Sequence, residues 1–482
     1  MKNEQSQSTP SEWAKIKPRH RFCLRAAGLA WYDTVMEQAE KSPATGRTIT
    51  VSIDKLIDGG AGLARIDGQV VFIPGVCSGE QVRARVTAVK SGHVEAALEQ
   101  VMTPSADRIG PSCPVAGRCG GCQWQHLVYP AQLRAKIEIL REDLQRIGQL
   151  ADPPILPPIG APHPYNYRTR IQLKLDGTGH DPVIGFYAAQ SRRIVPAPWE
   201  EGCLVAAPPL NRAITALRAI LTDPKTRMES LNEAHLHLAQ GTGELQIRYM
   251  AEGEPKRRVE AFLTAAEKSV PGLVSQIYHD HSGHRRVWGR DWITDMIKDR
   301  PFRISDRSFA QVNWEQNRVL IDTVTAFASL TGRESILELY CGIGNFGLFL
   351  ASAAKSLQGY DENKTAIGDA RENASKQGVT NSRFTARPVE ESVEALAKGT
   401  ERWNLIVADP PRDGMGRRVI EAILTLKPAR IIYISCMAAT LARDLNRLSI
   451  GGGGGYRVER IQPVDLFPQT PYLETVTELV VI

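Results

Sequence analysis

The sequence predicts an α/β protein: a C-terminal Rossmann-like, doubly wound parallel sheet, preceded by a small β-barrel and a mixed α+β central domain. Three observations carry this. After Phe302, the strand candidates SILELY, SLQGYD, SRFTARP, NLIVADP, RIIYISC and VERIQPVDLF alternate with helical stretches such as NKTAIGDARENASKQG and RRVIEAILTLK, the pattern of a parallel sheet covered on both faces. Between Thr48 and about Val101, short alternating runs are punctuated by Asp58-Gly59-Gly60 and Asp67-Gly68, which fits five strands closing into a barrel. Between these regions RIQLKLD, PVIGFYAA, ELQIRYM and VSQIYHD read as strands, with helices expected around Leu210 to Leu221 and Arg258 to Ala266.

The 482 residues are 42% hydrophobic and 23% charged, which fits a globular chain of about two to four domains. The expected division is a mobile extension over 1–46, with Met36 as an alternative start, a barrel over 47–103, a central domain over 104–300 and the wound sheet over 301–482. No run approaches the roughly 18 apolar residues of a membrane span, so a cytoplasmic, membrane-free protein is expected, and a monomer. A net charge of +6 permits a polyanionic partner without proving one.

Eight cysteines in a chain of this length point to a reducing compartment and free thiols. Cys113, Cys119 and Cys122 lie within ten residues, and the rest are scattered. A helix is expected at YPAQLRAKIEILREDLQRIG, where Leu133, Ile137, Leu140, Leu144 and Ile147 recur at helical spacing. The five glycines from 451 to 455 read as a flexible turn rather than a phosphate loop.

In ILELYCGIGNFGLFL a strand runs into Gly342-Ile343-Gly344, where backbone amides can approach a ligand. The next strand ends in Asp361, 17 residues after Gly344, where a carboxylate can accept from both hydroxyls of a ribose. A nucleoside without a pyrophosphate, such as S-adenosylmethionine, is the expected ligand of this turn; the alternative is a plain strand-to-helix turn. Asp409-Pro410-Pro411 ends a later strand in a rigid loop. Arg412 stands where enzymes that methylate exocyclic amines carry an aromatic residue, which argues against that chemistry. Ser435-Cys436 ends another strand just before a helix, where the positive end of the helix dipole is expected to favour a thiolate. Glu474 precedes the last strand. A thiolate and a carboxylate together fit methylation at carbon 5 of uracil: the thiolate adds to carbon 6, carbon 5 takes the methyl group, and the base removes the remaining hydrogen.

On SFAQVN (308–313), LELYCGIGNFGL (337–348), ADPPRDG (408–414), ISCMAATLARD (434–444) and DLFPQTPYLE (465–474), the C-terminal part resembles the RNA uracil-5-methyltransferase family. The resemblance implies Cys436 as nucleophile and Glu474 as proton acceptor. It implies Gln311, Tyr340, Asp361 and Asp409, with Gly342, Gly344 and Asn345 of the glycine turn, around S-adenosylmethionine and the base. Met437 and Ala438 follow the cysteine where the family usually has Asn-Pro, Gln469 and Tyr472 stand where it commonly has His, and Pro388 replaces a frequent polar residue. The segment 48–101 resembles a TRAM domain, an RNA-binding barrel of the OB type. Three clustered cysteines with a distant fourth, Cys203, suit a [4Fe-4S] cluster better than zinc, and TRAM-bearing members of the family carry a similar arrangement. The implied partner is RNA, foremost 23S ribosomal RNA, then transfer RNA; a different class is an inactive RNA-binding assembly factor.

Overall fold

The computed structural model describes residues 44–176, 182–198, 202–253, 256–280 and 282–482. The extension expected over 1–46 lies, up to residue 43, outside them, as does Met36. Strands β1 (Thr48–Leu56), β2 (Gly62–Ile66), β3 (Gln69–Ile73), β4 (Gln81–Val89) and β5 (Val94–Thr103) close into a barrel in the order β1-β2-β3-β5-β4. Alternation drives it: Ile49, Val51 and Ile53 of β1 point inward to meet Val82, Ala84 and Val86 of β4. The turn between β1 and β2, Asp58–Gly60, forms the barrel's tip.

After the cysteine segment comes helix α1 (Tyr129–Arg146). Its buried face differs from the leucine stripe expected from sequence: Gln132, Lys136, Ile139, Leu140 and Leu144 face inward, while Leu133 and Ile137 are half-buried and Ile147, just past the helix, is exposed. Two polar side chains win inward positions because they find partners there, as described below.

The central domain is a seven-stranded sheet in the order β12-β11-β10-β9-β6-β7-β8. It comprises β6 (Arg170–Asp176), β7 (Val183–Tyr187), β8 (Ile194–Pro196), β9 (Leu231–Leu238), β10 (Leu245–Ala251), β11 (Leu273–Asp280) and β12 (Arg285–Gly289). Helices α2 (Pro208–Thr222) and α3 (Lys256–Ser269) cover one face, burying Leu173, Leu236, Ile247 and Tyr249. A hairpin of β13 (Trp292–Ile297) and β14 (Arg300–Ser305), followed by helix α4 (Trp314–Ala328), joins this domain to the next.

The C-terminal sheet has the order β17-β16-β15-β18-β19-β21-β20, from β15 (Ser335–Leu339), β16 (Ser356–Asp361), β17 (Ser382–Ala386), β18 (Leu405–Ala408), β19 (Arg430–Ser435), β20 (Tyr456–Val464) and β21 (Glu474–Val481). Only β21 runs against its neighbours. Helices α5 (Gly347–Ala351), α6 (Lys364–Lys376), α7 (Val389–Ala397), α8 (Gly416–Leu426) and α9 (Ala438–Leu448) connect the strands, and two apolar cores form on the two faces of the sheet. The doubly wound class expected from sequence is the one observed. The glycine run caps α9: Gly452 and Gly454 donate to Ser449 O at 3.1 and 2.8 Å, packed so closely that a Cβ at either would collide with the helix's last carbonyls.

The loop from Asp465 to Leu473 leads into β21 without regular structure, and donors from elsewhere hold it. Five consecutive carbonyls each accept one: Asp465 O from Gln316 Nε2 (3.0 Å), Leu466 O from Asn313 Nδ2 (3.1 Å), Phe467 O from Lys136 Nζ (3.0 Å), Pro468 O from the Tyr167 hydroxyl (3.0 Å) and Gln469 O from Trp124 N (3.0 Å). Lys136 also reaches Asp465 Oδ1 at 2.6 Å, with Tyr129 donating to Oδ2 at 2.8 Å. Gln132 and Gln469 pair reciprocally, at 2.8 and 3.0 Å. Trp124, fully buried, donates from Nε1 to Gly60 O of the barrel tip at 3.0 Å. Both members of the Lys136–Asp465 pair are fully buried. Removing one leaves the other's charge uncompensated, so Lys136→Ala should destabilise the protein by about 3 to 5 kcal/mol in urea unfolding. The double change Lys136→Met with Asp465→Leu should recover much of that loss.

Candidate active site

The glycine turn leaves β15 through Tyr340, held at φ 60°, with Gly342 at φ 52° and Gly344 at φ 82°. A Cβ at Gly342 would meet no atom within 4 Å, so this backbone borders open space where a ligand can approach. Asp361, at the end of β16, receives Gly342 N on Oδ2 (3.0 Å) and Asn363 N on Oδ1 (2.8 Å), and so fixes the turn against its own loop. Asn345 does not face the cleft freely: its side-chain amide exchanges two hydrogen bonds of 2.9 Å with Asn317 of α4. Gln311 is half-buried on the segment between β14 and α4.

Glu338 of β15, which sequence reasoning passed over although it stands inside the quoted motif, braces this turn from below. It is buried, its Oε1 accepts from Gly347 N at 2.9 Å, and its other oxygen has no partner. Residue 347 must be glycine, because a Cβ there would collide with that carboxyl. Burial, with Asp409 and Asp361 adding, pushes Glu338 up to about 8, so it is a neutral acid at pH 7.

Helix α9 organises the opposite side. Asp444 accepts from Met415 N and the Tyr433 hydroxyl, both at 2.9 Å, while Thr440 Oγ1 donates to Arg412 O at 3.0 Å and Arg443 to Asp413 O at 2.7 Å. These bonds pin the Asp409–Met415 loop and set the Arg412 guanidinium 4.7 Å from the centre of the Tyr472 ring.

Cys436 follows β19, half-buried, and α9 begins two residues later. Burial opposes the thiolate that the helix dipole is expected to favour. Burial pushes the thiol up to about 12, Glu474 and Asp409 add to this, and Arg412 only partly opposes it. A helix end contributes about 0.3–1 kcal/mol at an exposed site, too little to offset desolvation beside two carboxyls. Register brings Glu474 in: β19 and β21 pair Ser435 with Thr475, whose Oγ1 donates to Ser435 O at 3.1 Å. Glu474 is only 2% exposed. Burial first, then Asp409, raises its carboxyl well above the ordinary range, with Arg412 opposing, and Asp409 is raised by burial and Asp361. Thiol, guanidinium and carboxyls therefore converge on one cleft at the carboxyl ends of the strands, beside the glycine turn.

The four cysteines assigned to a cluster sit elsewhere. Cys113, Cys119, Cys122 and Cys203 line one cavity of about 390 Å³ against the central sheet. Among the described residues no three His, Cys, Asp or Glu side chains are already gathered tightly enough to hold a metal ion. The donor set is nonetheless all thiol, and Gly121 N donates to Cys119 Sγ at 3.4 Å, the soft ligands and amide-to-sulfur bonds that suit iron and sulfur.

A wound sheet with one reversed strand, a glycine turn after its first strand and a carboxylate that holds that turn after its second defines the methyltransferase class of α/β enzymes. Comparison with known proteins makes this specific. Residues 254–480 match the tRNA (uracil-5-)-methyltransferase family model and residues 44–98 the TRAM domain. Relatives described as uncharacterised RNA methyltransferases include one from Halalkalibacterium halodurans, 34% identical over 89% of this chain and 96% of the relative. Another, from Gloeobacter violaceus, is 36% identical over 90% and 96%. The crystal structure of Pyrococcus abyssi tRNA (uracil-54, C5)-methyltransferase with S-adenosyl-L-homocysteine superposes with a TM-score of 0.68, at 24% identity over 89% of this chain and all of that one. The chain belongs to the RNA uracil-5-methyltransferase family and is an RNA methyltransferase enzyme with an N-terminal TRAM barrel.

Because Glu474 is raised in the folded state, folding loses stability as pH climbs above the unfolded carboxyl's value of about 4.3 towards the folded one. Glu474→Gln should therefore match the wild type at pH 4 and exceed it by on the order of 1 to 3 kcal/mol at pH 8, measured by urea unfolding at both pH values.

Proposed function

We propose that the enzyme methylates carbon 5 of a specific uridine in RNA through a covalent Cys436 adduct, with S-adenosylmethionine as donor. The observation that carries this reading is the convergence of Cys436, Glu474 and Arg412 across the β19–β21 register, next to the glycine turn. When bound, S-adenosylmethionine supplies an electrophilic methyl group on a positively charged sulfur. Asp361 is placed to accept from a ribose, and Gly342 and Gly344 let that ligand approach, with Tyr340, Gln311, Asn345 and Asp409 around the same cleft. The acidic lining is poised for a cation, since a positive charge beside Asp409 lowers the carboxyls that burial has raised, leaving Glu474 able to accept a proton. Arg412 favours the Cys436 thiolate. That thiolate adds to carbon 6 of uracil and the ring's electrons reach carbon 5, which takes the methyl group. Glu474 then removes the hydrogen from carbon 5, and the carbon–sulfur bond breaks to return the thiolate.

The favoured substrate is 23S ribosomal RNA, because a TRAM barrel joined to a cysteine-rich segment resembles the ribosomal branch of the family. Transfer RNA, which the family model's description names, is the second reading. Mapping of 5-methyluridine in a deletion strain decides: the mark should vanish from 23S ribosomal RNA and persist in transfer RNA. Cys113, Cys119, Cys122 and Cys203 would hold a [4Fe-4S] cluster as a structural tie between the cysteine loop and the start of α2. Protein purified without oxygen should be brown, and Cys119→Ser should bleach it; a colourless protein with one zinc per chain would replace the cluster by zinc.

The catalytic pair is separable by stage. Cys436→Ala should abolish both methylation and any covalent complex. Glu474→Gln should add, methylate and stall, accumulating a denaturation-resistant RNA adduct that carries label from the methyl group. Methylation retained by Cys436→Ala, or a methyl on a ribose or exocyclic amine, would overturn the mechanism.

A further inference from the structure

Two loops meet beside the Cys436 thiol, the one after β18 that carries Arg412 and the one before β21 that carries Tyr472. Cys436, Tyr472 and Thr475 line one narrow crevice, which Asp58 of the barrel tip and Lys136 of α1 also border. The Arg412 guanidinium lies 4.7 Å from the centre of the Tyr472 ring, within the reach of a cation–π contact. Among the described residues it enters no ion pair and donates no hydrogen bond. The ring face is therefore what holds it, since an exposed arginine without a partner spreads over many rotamers.

Both ends of this contact are fixed. Thr470 donates from Oγ1 to Phe467 O at 2.7 Å and receives Tyr472 N on the same Oγ1 at 3.4 Å. That turn sets the Phe467 and Tyr472 rings edge to face, 6.3 Å apart at 80°, a favourable aromatic geometry. On the other side, Pro410 and Pro411 restrict the backbone ahead of Arg412, and Thr440 Oγ1 holds Arg412 O at 3.0 Å. The family commonly has His where Tyr472 stands. An imidazole gains a proton near neutral pH and then repels a guanidinium, whereas a phenol ring stays neutral and offers the cation an electron-rich face.

We propose that Tyr472 is a positioning residue for the methyl transfer: its ring, braced by Phe467, holds the Arg412 guanidinium where that charge serves Cys436 and Glu474 together. The inference rests on Cys436 as the nucleophile and names the residue that orders the charge beside it. The charged groups facing the thiol are Glu474 from β21, Asp409 and Arg412 from the loop after β18, and Asp58 and Lys136 at the crevice. Asp465 neutralises Lys136 at 2.6 Å, so Arg412 is the cation left to favour the thiolate over three carboxyls that oppose it.

The test is alkylation of full-length protein, purified without oxygen and free of RNA, by iodoacetamide from about pH 7 to 9, with Cys436 followed by peptide mass spectrometry; only the thiolate reacts. Tyr472→Leu should slow the reaction about threefold across the range, and Tyr472→Phe, which keeps the ring face, should match the wild type. Arg412→Gln should slow it at least as far, and adding Tyr472→Leu to it should slow it no further. Replacing Tyr472 by pentafluorophenylalanine, of similar shape with the ring's charge distribution reversed, should act as Tyr472→Leu does and serves where the leucine variant fails to fold. A merely structural role has the opposite sign, because a loosened crevice admits water and reagent and the thiol reacts faster. Alkylation that is unchanged or faster in the leucine or fluorinated variant would overturn the proposal, as would Tyr472→Phe slowed as far as Tyr472→Leu, or losses that add in the double variant. Formation of 5-methyluridine by the wild type is scored separately, so the positioning role can fail while the enzyme reading stands.

Discussion

The loop from Asp465 to Leu473 governs the rest of the molecule, because it must be rigid, buried and irregular at once. It delivers Glu474 to the thiol side of the cleft at the start of the only reversed strand. A buried backbone that is neither helix nor sheet has carbonyls that no ladder satisfies, and each unsatisfied one costs about 1–3 kcal/mol. The chain solves this by lending a donor from a different element to each of five successive carbonyls. Lys136 is the extreme case. Burial pulls its ammonium down and Asp465 pushes it back up, so the pair contributes placement more than net stability. The same bonds explain why the domains are not beads on a string. Trp124 joins Gln469 to Gly60, and a Cβ on Gly60 would come within 3.3 Å of Pro471. The RNA-binding barrel therefore abuts the loop that leads to Glu474, and removing it whole would disturb that loop as well as RNA contact.

The cleft stores its second constraint as charge. Glu338, Asp361, Asp409 and Glu474 are near enough to influence one another, and burial raises three of them. Burial disfavours charge on the Cys436 thiol and on three of the carboxyls around it. That arrangement protects a half-buried thiol from adventitious electrophiles. A positive charge placed beside Asp409 would lower these carboxyls again.

Legibility in the sequence followed locality. The wound sheet declared itself because strand and helix periods alternate cleanly after Phe302, and the barrel because tight turns separate alternating runs. What escaped was whatever depends on distant partners. The inward face of α1 was misplaced because Gln132 and Lys136 are polar, and only Gln469 and Asp465, more than 300 residues away, make them interior residues. Strand β9 was missed outright: in LNEAHLHL the histidines and glutamate mask a period of two that is plain once Ala234, Leu236 and Leu238 are seen facing the helices. The burial that raises the Cys436 thiol was not legible for a related reason, since the helix end is visible in sequence whereas the carboxyls beside the thiol are not.

The masked strand is instructive about how this family member divides labour. A sheet strand normally hides one face and wets the other, and polar residues on the wet face need no explanation. Here the polar face is neither fully wet nor packed: His237 is buried and Arg170 and Arg248 are largely stripped of water, and among the described residues no helix covers them. One row along the same face Lys174 and Glu233 close to 2.7 Å, while Asp306, already paired with Arg285 at 3.2 Å, favours the charged form of Arg248. The sheet thus grades from a self-neutralised row at Lys174 and Glu233 to Arg170, which among the described residues has no carboxylate within ion-pair distance and one long bond, to Ser308 O at 3.5 Å.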